Sequence, residues 1–191
     1  MEIRVNVVLM VLVGLTWLGL RAHAPTPIES GKQWASQLAA LEDAFGADPS
    51  DKGALVSLID AYLEEGYPLL AVAALRSAEP TLLEEPVVSH QLARAYEASG
   101  RLLDALATAD LALARCSRAI GARPLETAVP HFSCSERTFA MLDTHKSALE
   151  RMVRWGIVDP RVDPRAQRAY DLALRRARIA VGELPAGPGV P

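Results

Sequence analysis

Two stretches of this 191-residue chain repeat each other at an offset of 34 residues. Leu58, Tyr62, Gly66, Ala71 and Ala78 in the first answer to Leu92, Tyr96, Gly100, Ala105 and Ala112 in the second. Within each stretch the apolar residues recur three and four apart, the period of a helix that buries one face. Gly66 and Gly100 fall where such a helix must end, and a positive φ there costs glycine little. Ala71 and Ala105 lack bulk, which lets two helices approach closely. A repeat of this length marks stacked helix–turn–helix units, each covering its apolar face only against its neighbours. No stretch alternates in the manner of a strand. The expected class is therefore all-α, a short solenoid of antiparallel helix pairs.

Position by position the pattern resembles the tetratricopeptide repeat. The first unit offers Leu55, Leu58, Ile59, Tyr62, Gly66, Ala71, Leu75 and Ala78; the second offers Ser89, Leu92, Ala93, Tyr96, Gly100, Ala105, Ala109 and Ala112. Ile59 is larger than that family's usual small residue, and Ser89 and Ala109 are smaller than its usual bulky ones, so local helix packing is adjusted. The resemblance implies a protein partner held in a concave groove lined by the first helix of each unit. Matching positions are Val56, Asp60, Leu63 and Glu64, then Val87, His90, Arg94 and Glu97. Family members that clamp a terminal carboxylate use Lys, Asn and Arg at such positions, and only Arg94 fits. The mixed groove is better suited to an extended or helical protein segment.

Partial units flank the two full ones. Stepping back one period from Leu75, Ala78 and Leu83 lands on Leu41, Ala44 and Pro49. A half unit from about Trp34 to Phe45 is thus expected to cap the amino end, and the repeats to occupy 34–115. A linker at 25–33 precedes them and a loop at 116–134 follows. In Ser133-Cys134-Ser135-Glu136, Ser133 and Glu136 read as a capping box that opens a helix to about Trp155. Asp163 and Pro164 open another, running to about Val181. This carboxyl-terminal hairpin at 135–181 does not keep the repeat signature, as terminal units often do not, and 182–191 reads as a disordered tail.

The amino terminus bears on the compartment. Val5 to Leu20 is an apolar run of 16 residues with Asn6 its one strongly polar member. That length falls between a signal-peptide core and a spanning helix. Ala22-His23-Ala24 has the form of a cleavage site, which makes 1–24 a removable signal peptide. Pro25 after the cut, with Arg21 and Trp17 placed to sit at an interface, favours a retained signal anchor instead. Either reading puts the repeats outside the cytoplasm, anchored to the inner membrane or released to the periplasm. The 17 Arg against 3 Lys accord with GC-rich codons and a bacterial source.

Cys116 and Cys134 are the two cysteines. In an oxidising compartment, an even pair at the ends of one irregular loop is expected to form a disulfide. The rival readings are two separate buried thiols, or a metal site with His131 and His145, whose order lacks a familiar zinc spacing. No metal or cofactor is expected.

Catalytic motifs are missing. There is no glycine-rich phosphate loop, no G-x-S-x-G and no H-E-x-x-H. Charge is instead divided along the chain: residues 29–97 carry 12 acidic and 4 basic groups, whereas 101–178 carry 9 acidic and 14 basic. Such a dipole steers a partner or orients a domain at an anionic surface. The basic final helix, with Arg165, Arg168, Arg175, Arg176 and Arg178, has no interleaved aromatics, which argues against nucleic acid. The expectation is a non-catalytic adaptor or assembly factor of the bacterial envelope; an obligate subunit of a larger membrane complex is the alternative, and an enzyme is the third reading, disfavoured by the missing motifs.

Overall fold

The computed structural model describes residues 27–121 and 134–180, and among these all regular structure is helical. Eight helices follow in order: α1 (Pro27–Ala47), α2 (Lys52–Glu64), α3 (Pro68–Ser77), α4 (Pro80–Glu84), α5 (Pro86–Ala98), α6 (Leu102–Gly121), α7 (Glu136–Arg154) and α8 (Pro164–Ala180). The chain divides into a unit at 1–40, whose described part is the start of α1, and a unit at 41–191, which carries the features below. The apolar run at 5–20, the cleavage site, His131 and the tail at 182–191 lie outside the described residues.

Sequence-local signals set the helix boundaries. Asp51 caps α2, its Oδ1 accepting from the backbone N–H of Gly53 at 2.7 Å and of Ala54 at 3.1 Å. Proline opens α3, α4 and α5, where its missing N–H removes a donor that would have no helical partner. Asp163 begins α8 in the same way, its Oδ1 accepting from the Arg165 N–H at 2.9 Å.

Three helices end alike. Gly66, Gly100 and Gly156 have φ of 78°, 77° and 65°, the left-handed conformation that glycine adopts without a Cβ penalty. The residue after each glycine sends its N–H back to the carbonyl five residues earlier: Tyr67 to Tyr62 at 2.8 Å, Arg101 to Tyr96 at 2.8 Å, and Ile157 to Met152 at 3.0 Å. This is the Schellman closure, which satisfies carbonyls left over at the helix end.

Gly156 places the carboxyl-terminal pair in the register of the others. Counting back from the three glycines, Leu58, Leu92 and Ala148 are equivalent, as are Ile59, Ala93 and Leu149, and Tyr62, Tyr96 and Met152. In the second helices, Ala71–Leu75–Ala78 and Ala105–Ala109–Ala112 correspond to Ala166–Tyr170–Ala173 at identical spacing. The first helix of this pair departs from the signature, with Ala148 and Met152 where the others have Leu and Tyr, while its closing glycine and the small residues of its second helix recur. The turn from Gly156 carries five residues more than the turns from Gly66 and Gly100, which breaks the constant offset and leaves the pattern intact on either side.

Packing follows chain order. Helix α2 contacts α3 and α5, α3 contacts α5, α5 contacts α6, α6 contacts α7, and α7 contacts α8. One apolar cluster joins Ala93 of α5 and Ala105 and Ala109 of α6 to Leu149 and Met152 of α7 and to Ala166, Ala169 and Ala173 of α8. Ala71 and Ala105 are both fully buried, and their small size sets the spacing of the helices they touch. Burying Leu55, Leu58, Ile59 and Leu75 contributes about 1.5–3 kcal/mol each relative to exposure.

Four boundary expectations change. Helix α1 begins at Pro27, so most of the expected linker at 25–33 is helical. Helix α6 runs to Gly121, which shortens the expected loop at 116–134 from its amino end. The cap of α7 is Ser135, whose hydroxyl accepts from the Thr138 N–H at 3.1 Å, in place of Ser133 and its capping box. The five-residue helix α4 was not expected; its Leu83 carbonyl accepts from Ser89 Oγ at 2.7 Å and from Arg115 Nη1 at 2.8 Å.

Cys116, fully buried near the end of α6, is paired with Cys134 as a disulfide, with Cα atoms 5.3 Å apart across 18 positions of sequence. Phe139 and Leu142 of α7 and Leu113 of α6 pack around it. The bridge ties the start of α7 to the end of α6.

Candidate functional site: a groove across α2, α5, α7 and α8

A groove of about 710 Å³ opens between the first helices of the three pairs and the last helix. Leu63 comes from α2; His90, Arg94, Glu97 and Ala98 come from α5. Helix α7 supplies Ala140, Met141, Thr144 and His145, and α8 supplies Tyr170 and Leu174. Pro160 and Arg161 of the lengthened α7–α8 turn complete the wall. The five additional residues of that turn therefore shape the site.

A buried polar network forms the floor. Glu97 Oε2 accepts from the Tyr170 hydroxyl at 2.7 Å and lies 2.9 Å from His145 Nε2. The His145 ring is stacked with Tyr170, centroids 6.1 Å apart, and meets the His90 ring edge-on at 4.8 Å. Burial pushes the Tyr170 phenol well above its ordinary range, and the negative charge of Glu97 adds to this. His90 is pushed down to about 3, first by burial and then by His145 and Arg94. A neutral imidazole at His90 is the consequence.

The cations of the groove are matched locally. Arg94 Nη1 donates to Asp60 Oδ1 on α2 and to Gln91 Oε1 at 2.7 Å, and Gln91 Nε2 donates to the same Asp60 oxygen at 3.2 Å. This triad pins α2 to α5 across one unit boundary. Arg161 closes on Asp159, with Nε 2.9 Å from Oδ1 and Nη2 2.8 Å from Oδ2, which holds the Asp159 carboxyl down to about 2. Arg165 repeats the arrangement on Asp163. The sequence Asp-Pro-Arg occurs twice in this turn, and each copy neutralises itself.

Of the eight groove residues expected from the resemblance, Leu63, His90, Arg94 and Glu97 line the groove. Asp60 stands behind it as the partner of Arg94. Val56, Glu64 and Val87 do not line it: Glu64 is exposed, and the two valines are half-buried elsewhere. Sequence reasoning missed His145, Tyr170, Met141 and Leu174, because their hairpin was taken as lying outside the repeats. One signal was available. Counted from Gly156, His145 occupies the position of Leu55 and Ser89, where an imidazole in a core slot is out of place unless it has work there.

Among the described residues, no group of three or more His, Cys, Asp and Glu side chains is placed to hold a metal ion. No described helix is long and apolar enough to cross a membrane. Comparison with protein families, with curated proteins and with solved structures finds no match to this chain.

Proposed function

We propose that this chain is a tetratricopeptide-like interaction module of the bacterial envelope, and that its groove holds a polypeptide segment of another envelope protein. The observation that carries this reading is the groove. Equivalent first helices of three units contribute to one concave surface that mixes apolar residues (Leu63, Ala98, Met141, Leu174) with a fixed polar floor. A surface of that composition orients a segment through a few polar bonds while burying apolar side chains. The neighbour-to-neighbour packing and the three left-handed glycines support the solenoid of antiparallel pairs. The disulfide supports an oxidising compartment, in keeping with a signal peptide or signal anchor at 1–24. The chain then acts as an adaptor or assembly factor without catalysis.

A photoreactive residue in place of Met141, in the full chain expressed in membranes of its source, should crosslink to a polypeptide. The same residue in place of Leu111, which is 46% exposed on α6 and outside the groove, should not. Equal labelling at both sites sinks the groove reading. A reporter active only outside the cytoplasm, fused after Val181, tests export; a silent but expressed fusion overturns it.

A second reading, an obligate subunit of a larger complex, draws on a different observation. Leu69 and Leu103 stand at equivalent positions and are 69% and 72% exposed, and Val158 and Val162 are 82% and 79% exposed. A permanent neighbour covering them makes the purified chain self-associate, which sedimentation detects.

A further inference from the structure

The groove floor offers an acceptor that its own residues leave unused. His145 turns Nε2 toward the Glu97 carboxylate. Glu97 receives both of its bonds on Oε2, which leaves Oε1 with its accepting capacity intact.

The charges point the same way. Arg94 is matched by Asp60 and Arg161 by Asp159. Glu97 is held by an imidazole and a phenol, and among the described residues no guanidinium or ammonium reaches it. A carboxylate in a partly desolvated recess, bonded only to groups without a permanent charge, is a natural seat for a cation. Ala98, Met141 and Leu174 flank the floor and match the aliphatic stem that Lys and Arg carry.

We infer that the groove floor receives a basic side chain, the ammonium of Lys or the guanidinium of Arg, from the bound polypeptide segment, with Glu97 Oε1 as its acceptor. The inference rests on the groove being a polypeptide site, and it names the feature of the segment that the site selects.

The test uses fragments of that side chain on the full chain purified in detergent. The probes are n-butylammonium, neutral 1-butanol of the same heavy-atom count, and anionic butyrate. Binding is read from the Met141 methyl and His145 imidazole NMR resonances. Butylammonium should bind about tenfold more tightly than butanol, the worth of one charge-assisted bond over a neutral one. Glu97→Gln keeps an acceptor for Tyr170 and removes the charge, and should abolish the preference. Tyr170→Phe leaves the carboxylate with one donor fewer and should retain it. Equal binding of butylammonium and butanol, a preference for butyrate, or a preference that survives Glu97→Gln overturns the inference. If any of these occurs while Met141 still crosslinks a polypeptide, the basic side chain is refuted and the groove reading stands. If Met141 and Leu111 label alike, the groove reading itself falls.

Discussion

Lowering the pH should destabilise this fold through His90. The side chain is 8% exposed on α5, its ring faces His145 of α7 at 4.8 Å, and Arg94 lies one turn along its own helix. Glu97 and Tyr170 are the other neighbours of His145 in this network. Burial, His145 and Arg94 together push His90 from 6.5 down to about 3. Because the folded value lies below the unfolded one, the unfolded chain binds more protons throughout that interval. Stability is therefore full above about pH 6.5 and falls as the pH drops toward 3. The linkage integral gives a loss of about 1 kcal/mol at pH 6 and about 2 kcal/mol at pH 5. At pH 5 the loss is governed by the unfolded value, so a folded value one unit higher hardly changes it. Aspartates and glutamates remain charged in this window, which isolates the histidines. Urea unfolding of the wild-type chain and of His90→Gln between pH 7.5 and 5 measures the effect. His145 is present in both proteins, so the difference in pH slope reports His90 together with its coupling to His145. The wild type should lose about 2 kcal/mol more than the variant over this range. Parallel pH profiles would show that His90 is protonated in the fold, and the argument from burial would be wrong.

Three further outcomes test the architecture. Gly156→Ala forces a Cβ into φ 65° with no neighbouring atom within 4 Å of it, so the cost should be conformational strain alone, about 1–2 kcal/mol; an unchanged melting temperature would remove the third closure from the repeat register. Ala105→Leu, at a fully buried site, should overpack the contact among α5, α6 and the carboxyl-terminal pair by about 1–3 kcal/mol, and calorimetry that finds no loss would place the residue in solvent. Replacing Cys116 and Cys134 together by Ala frees a loop spanning 18 positions and should cost about 3 kcal/mol, with α7 exchanging amide hydrogens before α2 and α3; intact mass with and without reductant establishes the bond in the wild type, and two free thiols in protein from its native compartment refute it.

How much of this molecule is legible in its sequence depends on how far a constant offset survives. Helices α2, α3, α5 and α6 could be placed because nothing is inserted between Leu58 and Ala112, so every paired position keeps its distance of 34 residues. The carboxyl-terminal pair obeys the same physics, with a left-handed glycine closing its first helix and small residues at the contact of its second. Its turn has grown by five residues, however, and Ala112 and Ala148 are 36 positions apart where Ala78 and Leu92 are 14. Offset comparison fails there although the helical period does not. The serines before α7 show a finer limit: Ser133 and Ser135 are both residue types that cap helices, and Ser135 is the one that caps this helix. The groove was half legible for a related reason. Leu63, His90, Arg94 and Glu97 follow from register within two units, whereas His145 and Tyr170 reach Glu97 across 48 and 73 positions of sequence. The longer turn that breaks the constant offset also brings Pro160 and Arg161 to the groove wall.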